Sequence, residues 1–226
     1  MITTHIFGDL GNQLFQYCCG GALSLRHNVK LQLLWSDREK ENTTTRAFDL
    51  GHFNIRSEII MSPKPLRLLG LRSVQSFLQY GPARVFREFA LGCDPRFASL
   101  GPHARLKGYW QSENFFKAFE DMSREDLNIL TLPWAQNQSL LDPIASHNAV
   151  SLHVRRRDYV TNPLANAHHG ICDLGYYKTA IEYIAGRTQE APILYIFSDD
   201  IAWAKQNLKP QYETIFVDIK DEATNY

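Results

Sequence analysis

The fold is indicated first by residues 2–35, which read ITTHIFGDLGNQLFQYCCGGALSLRHNVKLQLLW. Residues 2–7 and 29–35 are rich in β-formers, and residues 14–26 between them repeat apolar side chains at helical spacing. The apolar face of this predicted helix consists of Leu14, Phe15, Cys18, Ala22 and Leu25. The order predicts a βαβ unit with Asn12 as the N-cap of its helix, and the free N–H groups at such a turn can hold an anion.

The same alternation of strands and helices returns in the last third of the chain. The predicted strands are 149–154, 193–197 and 214–217, and the predicted helices are 176–185 and 201–208. Strands that alternate with helices predict a parallel sheet, whose ligands bind at the carboxyl ends of the strands. Three strands are few for a sheet buried on both faces, so we expect this half to be incomplete. The polar segment 134–148 marks the predicted boundary between a domain of residues 1–147 and one of residues 148–226.

The composition excludes several classes of protein. The chain has 226 residues, 44% of them hydrophobic, which excludes disorder. Lys and Arg number 24 and Asp and Glu also number 24, so the chain lacks the basic excess typical of nucleic-acid binding. Two of the four cysteines are adjacent, which suits free thiols in a reducing compartment better than disulfides. With no signal-peptide pattern or membrane-spanning stretch, the sequence predicts a cytoplasmic protein.

Segment 63–92 is basic and amphipathic. Its charged residues are Lys64, Arg67, Arg72, Arg84, Arg87 and a single acid, Glu88. One interpretation is a set of helices that pack on the core with their arginines in solvent. The other is peripheral contact with an anionic membrane surface or a lipid-linked substrate, which would place the protein at the inner membrane surface.

A basic cluster, HVRRRD at 153–158, follows the predicted strand 149–154. Alternation along the strand puts His153 and Arg155 on one face and Arg156 on the other. A planar guanidinium that keeps its charge suits a diphosphate, so this strand end is a candidate phosphate site. A solvated turn is the alternative for a run of three arginines.

A second polar cluster, Ser198, Asp199 and Asp200, follows the predicted strand 193–197. Its carboxylates could chelate a metal together with a nucleotide, accept hydrogen bonds from a base or sugar, or cap the next helix. The run HHGIC at 168–172 has no second ligand pair, and a closed zinc site needs four ligands, so no metal is predicted. Neither a Walker-type loop nor a Gly-x-Ser-x-Gly turn is present in the sequence.

Six segments together resemble one family, the bacterial α-1,2-fucosyltransferases of glycosyltransferase family 11, which also contains the blood-group H enzymes. The segments are GDLGNQLFQY at 8–17, RAFDL at 46–50 with 53–55, GYWQSE at 108–113, HVRRRD at 153–158, HGIC at 169–172 before Tyr176, and FSDD at 197–200 with Trp203. The segment at 153–158 is similar to a motif shared with α-1,6- and protein O-fucosyltransferases.

This resemblance implies a fold and an activity. The implied fold is α/β and GT-B-like, with two Rossmann-like halves facing a cleft, an N-terminal acceptor side and a C-terminal donor side. The implied reaction is inverting, metal-independent transfer of L-fucose from GDP-fucose to the 2-hydroxyl of a galactoside in a glycan. No cofactor is implied besides the donor substrate.

The resemblance also implies roles for particular residues. Arg155 would hold the β-phosphate, and Asn12 would approach the diphosphate or the acceptor from the N-terminal turn; these two are the implied catalytic residues. The implied substrate-binding residues are His153, Arg156, Asp158, Gln13, Ser198, Asp199 and Asp200.

The chain departs from the family pattern at three points, and two of them, Asp9 and the stop at Tyr226, favour an alternative function. Asp9 and Arg157 stand where the family has glycine, and the sequence stops at Tyr226, before a Ser-x-Phe-Ser-Trp-Trp-like segment that helps close the donor site. The alternative is a non-catalytic or weakly nucleotide-binding truncated remnant of such an enzyme. On either interpretation we expect self-association through the sheet edge left after 214–217.

Overall fold

The computed structural model describes residues 1–35, 47–61, 85–89, 92–131 and 135–218. The chain divides into two compact units, Met1–Leu132 and Pro133–Tyr226. Each unit contains a parallel sheet, which confirms the α/β class. The division comes earlier than residue 147, because a helix occupies most of the polar segment 134–148 and belongs to the second unit. The arrangement of two halves across a cleft stays a prediction.

The first unit is built around five described strands. Its elements are β1 (Ile2–Ile6), α1 (Leu10–Arg26), β2 (Leu31–Trp35), β3 (Glu58–Met61), β4 (Val85–Arg87), β5 (Arg105–Lys107) and α2 (Glu120–Asp126), with 3-10 turns at Leu50–His52, Pro95–Ser99, Glu113–Phe115 and Lys117–Phe119. The strands lie in the order β3-β2-β1-β5-β4, all parallel. The predicted βαβ unit is therefore confirmed.

Helix α1 covers one face of this sheet through a close approach to β1. Gly20 makes the approach possible, because a Cβ at this position would overlap Thr4 Oγ1. The helix begins at Leu10 with Asp9 as its N-cap residue, so the prediction that Asn12 caps it is wrong. The chain turns one residue earlier, at Gly8, whose φ of 79° suits glycine. Leu25, predicted on the apolar face, is exposed.

The carboxyl-terminal half of β1 carries a partly buried histidine close to three cations. Thr3 pairs with Arg105 and Thr4 with Leu106, so His5 follows at the level of Lys107, which itself pairs with Arg87. Burial and the positive charges of Arg105, Lys107 and Arg87 lower the pKa of His5 from 6.5 to about 4.

The second unit is built around three described strands. Its elements are α3 (Ala135–Ser146), β6 (Ala149–Val154), α4 (Arg157–Thr161), α5 (Pro163–His169), α6 (Leu174–Ala185), β7 (Ile193–Ser198), α7 (Ile201–Asn207) and β8 (Thr214–Phe216). The strands lie in the order β6-β7-β8, all parallel, over a core that includes Val154, Ile181, Leu194 and Ile196. The predicted strands and helices of this unit are confirmed, and the polar stretch after residue 154 forms the two short helices α4 and α5.

The amphipathic segment 63–92 falls mostly outside the described residues. Residues 62–84 and 90–91 are not described, and residues 85–87 form strand β4. Contact of this segment with a membrane surface stays a prediction. In the described part of the chain, no helix combines the length and the apolar character needed to span a bilayer.

Replacing Gly20 should destabilise the first unit. The Gly20→Ala variant forces a methyl group against Thr4, and overpacking of this kind costs about 1–3 kcal/mol. Gly21→Ala is the matched control in the same helix, because a Cβ at residue 21 would have nothing within 4 Å and alanine favours helix by about 0.5–1 kcal/mol. Urea unfolding measures both changes. Equal stability of the two variants would contradict the close packing of α1 on β1.

His5 should make stability depend on pH between 6.5 and 4. Below pH 6.5 the unfolded chain protonates this histidine while the folded chain does not, so the free energy of unfolding falls as the pH drops toward 4. The contribution is at most about 3 kcal/mol. In His5→Gln the decline in the free energy of unfolding between pH 6.5 and 4 should be shallower than in the wild type, as measured by urea unfolding at several pH values. Parallel declines would contradict the low pKa.

Candidate active site

The carboxyl edge of the second sheet brings the two predicted polar clusters together. Strands β6 and β7 are in register, with His153 opposite Phe197 and Val154 opposite Ser198. The arginine segment that follows β6 and the aspartate segment that follows β7 therefore leave the sheet side by side. This is the edge at which parallel α/β sheets bind ligands.

Asp199 links the two segments. Its Oδ1 accepts a hydrogen bond from the backbone N–H of Arg156 at 2.8 Å, and its Oδ2 accepts one from the backbone N–H of Arg157 at 3.2 Å. Because α4 begins at Arg157, the carboxylate lies at the start of that helix, where negative charge is favourable. Asp199 thus holds the arginine turn in place, and its implied role in substrate binding stays a prediction.

Ser198 and Asp200 make the connection from β7 to α7. The Ser198 hydroxyl donates to the carbonyl oxygen of Val154 at 2.7 Å and accepts from the backbone N–H of Asp200 at 2.9 Å. Asp200 Oδ1 accepts from the backbone N–H of Trp203 at 3.2 Å, which makes it the N-cap of α7. Both aspartates are thus used as caps. Within the described ranges, no group of three or more His, Cys, Asp or Glu side chains is placed to hold a metal ion.

The first two arginines of the motif pack on different aromatic rings. The guanidinium carbon of Arg155 lies 5.1 Å from the ring centre of Tyr159, and that of Arg156 lies 3.7 Å from the ring centre of Trp203. Arg156 Nε is also 3.7 Å from Asp200 Oδ2, and only 17% of the Arg156 side chain is exposed. Such contacts are favourable cation–π interactions, and they restrict both guanidinium groups to this edge.

Exposure follows the predicted alternation along β6. Val154 is fully buried in the core, whereas His153 is exposed on the other face. Asp158 lies in α4. Tyr159 is not among the residues predicted from the sequence, although its spacing of four residues from Arg155 is one at which side chains commonly meet.

Tyr177 lies in the core of the second unit, within the electrostatic reach of Arg156. Burial raises the pKa of its hydroxyl, while the positive charge of Arg156 acts in the opposite direction. As a neutral phenol, Tyr177 adds no negative charge beside Arg156.

In the first unit, Gln13 holds the N-terminal turn from inside. The side chain is fully buried; its Nε2 donates to the carbonyl oxygens of Gly8 at 2.9 Å and Ala47 at 2.8 Å, and its Oε1 accepts from the backbone N–H of Asp49 at 3.0 Å. Gln13 therefore links the N-terminal turn at Gly8 to the chain at residues 47–49. Its predicted contact with substrate stays a prediction.

Asn12 joins two of the six segments noted in the sequence. Its Oδ1 accepts a hydrogen bond from Gln111 Nε2 at 2.8 Å, and the side chain is partly exposed. The segments at 8–17 and 108–113 thus meet at the carboxyl edge of the first sheet, where β1 and β5 end.

Comparison with known proteins assigns the chain to a family. The sequence model of glycosyl transferase family 11 matches residues 84–223, more than half of the chain. The chain belongs to this family. The assignment confirms the family that the six segments indicate, and with it the description of this family-11 protein as a glycosyltransferase of glycan biosynthesis.

Relatives of this family-11 chain include transferases of deoxy sugars. An alpha-1,2-colitosyltransferase of Escherichia coli is 31% identical over 217 residues, which cover 91% of this chain and 71% of the relative. A galactoside 2-alpha-L-fucosyltransferase of Bos taurus is 25% identical over 120 residues, 51% of this chain and 32% of the relative. Among solved structures, the fucosyltransferase NodZ from Bradyrhizobium is similar at a TM-score of 0.44 and 12% identity, over 96% of this chain and 78% of that one.

Removing one oxygen acceptor at residue 199 should loosen the arginine turn of this family-11 protein. In Asp199→Asn an amide N–H₂ replaces one of the two acceptors, so a backbone N–H of residue 156 or 157 loses its partner. We expect a loss of about 2 kcal/mol in the free energy of unfolding, typical of a hydrogen bond to a charged group. Asp173→Asn is the control, because Asp173 is the N-cap of α6 and asparagine caps equally well. Urea unfolding that shows no difference between the two variants would contradict the role of Asp199.

Proposed function

We propose that this protein transfers L-fucose from GDP-fucose to the 2-hydroxyl of a galactoside, with inversion at the anomeric carbon and without a metal ion. The observation that carries the proposal is the arginine turn at the carboxyl edge of the second sheet, held by two hydrogen bonds from its backbone to Asp199. A turn fixed in this way presents positive charge at the place where parallel α/β sheets receive nucleotides.

Arg155 is proposed to hold the β-phosphate of the donor. Its side chain is partly exposed and lies over Tyr159, so its planar N–H fork can bind two phosphate oxygens while the ring limits its motion. Arg156, packed on Trp203, adds a second positive charge at the same edge. We assign His153 and Asp200, the first exposed and the second partly exposed, to the guanosine.

The chemistry is a single displacement. The acceptor oxygen forms a bond to the anomeric carbon while the bond from that carbon to the phosphate oxygen breaks, and GDP leaves with the electron pair. The proton of the acceptor hydroxyl passes to a general base of the Asp or Glu type. Negative charge grows on the departing β-phosphate, and a preorganised donor at such a position typically contributes ~10²–10³ in rate. Arg155 fills that role in the proposal.

The other motif residues are proposed to position these groups. Asp199 and Ser198 act through the backbone that they bind, and Gln13 acts through the turn that carries Asn12. Asn12 itself, partly exposed in the first unit, is assigned to the acceptor side. Asp158, the last residue of the basic motif, is kept as a proposed substrate contact.

The sugar and the linkage are supported by what the relatives are named for. One is named for α-1,2 transfer of colitose and the other for transfer of L-fucose to position 2 of a galactoside. Colitose is L-fucose without its 3-hydroxyl group, so the two donors differ by a single oxygen. GDP-colitose is therefore the competing donor, and comparing kcat/KM for the two donors decides between them.

Replacing Arg155 by lysine should remove most of the activity without unfolding the protein. Lysine keeps the positive charge but loses the planar fork, so we expect kcat to fall by roughly 10²-fold with the melting temperature unchanged. Arg187→Lys is the matched control: Arg187 lies between α6 and β7, at the other edge of the same sheet, and its guanidinium stacks on Tyr183. A GDP-release assay measures both variants. Full activity in Arg155→Lys would contradict the phosphate role.

A further inference from the structure

The turn that follows β5 is held in an uncommon backbone conformation. Trp110 is fully buried and has a φ of 58°, in the left-handed region that bulky residues rarely occupy. The backbone N–H of Trp110 donates to Glu88 Oε1 at 3.1 Å, and that of Tyr109 donates to Glu88 Oε2 at 2.7 Å. Gly108 lies so close that a Cβ there would be 2.5 Å from Glu88 Cβ. Such conformations concentrate at ligand sites, because the surrounding structure must maintain them.

The conformation sends neighbouring aromatic rings in different directions. Trp110 turns into the core, where it packs against Phe86, Phe97 and Phe115. Tyr109 stays outside with 47% of its surface exposed, and its ring meets Phe7 edge-on at 5.1 Å between centres. Tyr109 is therefore an exposed aromatic surface on a fixed backbone, supported by a second ring at the end of β1.

The amide pair Asn12–Gln111 lies on the same turn. One N–H of Gln111 Nε2 is used in the bond to Asn12 Oδ1. The pair still offers the N–H groups of Asn12 Nδ2, the second N–H of Gln111 and the Gln111 Oε1 acceptor. Sugar hydroxyls both donate and accept hydrogen bonds, so a pair that offers donors and an acceptor together suits them.

We propose that Tyr109, Asn12 and Gln111 form a hexose subsite in the first unit. The apolar C–H face of a galactose ring stacks on Tyr109, and its hydroxyls bond to the amide pair. The three contact groups are uncharged, which favours a neutral sugar over the diphosphate of the donor. Glu88 is the positioning residue of the subsite, since it holds the backbone on which Tyr109 and Gln111 stand. This inference rests on the proposed function, which makes a galactoside the acceptor.

The test compares Tyr109→Ala with the wild-type chain in binding of methyl β-D-galactopyranoside, followed by NMR titration in the presence of GDP. We expect affinity to fall roughly three- to tenfold, the range of a lost aromatic contact, and the acceptor KM to rise by the same factor. Gln111→Met, which keeps the size of the side chain, should show a similar loss. Tyr109→Phe should bind as the wild type does. Tyr183→Ala is the control, because Tyr183 is 59% exposed but lies on α6 of the second unit.

A calorimetric titration with GDP separates this inference from the proposed function. We expect the GDP Kd of Tyr109→Ala to equal that of the wild type. If Tyr109→Ala binds the galactoside as well as the wild type does, the subsite is overturned and the proposed function stands. If the variant loses GDP affinity instead, the turn belongs to the donor and the subsite is again overturned. If the wild type binds neither GDP nor the galactoside, both proposals fail.

Discussion

The carboxyl edges of both sheets depend on the same interaction. A carboxylate just after one strand accepts hydrogen bonds from two backbone N–H groups just after the neighbouring strand. Asp199, directly after β7, binds the amides of residues 156 and 157 after β6. Glu88, directly after β4, binds the amides of residues 109 and 110 after β5. In each sheet the regular strand pairing ends here, with a last bond from the Ser198 hydroxyl to the Val154 carbonyl in one sheet and from the Glu88 N–H to the Lys107 carbonyl in the other. The carboxylate extends the pairing beyond the ladder and fixes the side chains that we assign to the donor and to the acceptor.

Most strands and helices were predictable because their causes are local. The apolar runs before His153 and before Ser198 are strands with nearly the predicted ends, and Tyr177 and Ile181 mark the buried face of α6 as their spacing indicates. The start of α1 was not predictable, since Asp9 and Asn12 are both good caps and the positive φ of Gly8 decides between them. Segment 134–148 was interpreted as the domain boundary because it is polar and contains Pro143, yet helix α3 occupies residues 135–146 with that proline inside.

The position of the site in the fold could be predicted from the sequence, but the roles of its residues only in part. Parallel strands in register bring the two polar clusters to one edge, and this follows from the order of the elements alone. The hydrogen-bond partners of Gln13 and Asp199 do not follow from the order of the elements, because most of these partners lie 34 to 43 residues away in the chain. The role of Glu88 could not be predicted, because nothing in the basic segment around it distinguishes this residue. The left-handed conformation at residue 110 could not be predicted either, because the residue there is tryptophan and not glycine.

The paired N–H groups at the two edges have a consequence for how the molecule chooses its ligands. Two adjacent amides that point outward form a nest that would capture any small anion from solution. Here both pairs of N–H groups already bond to the chain's own carboxylates, Asp199 and Glu88. Selectivity for ligands therefore depends on the neighbouring side chains and not on the main-chain N–H groups. On our assignments, exchange of Arg155 or Tyr109 would alter what is recognised while the backbone bonds to Asp199 and Glu88 stay in place, so ligand choice could change without loss of the scaffold.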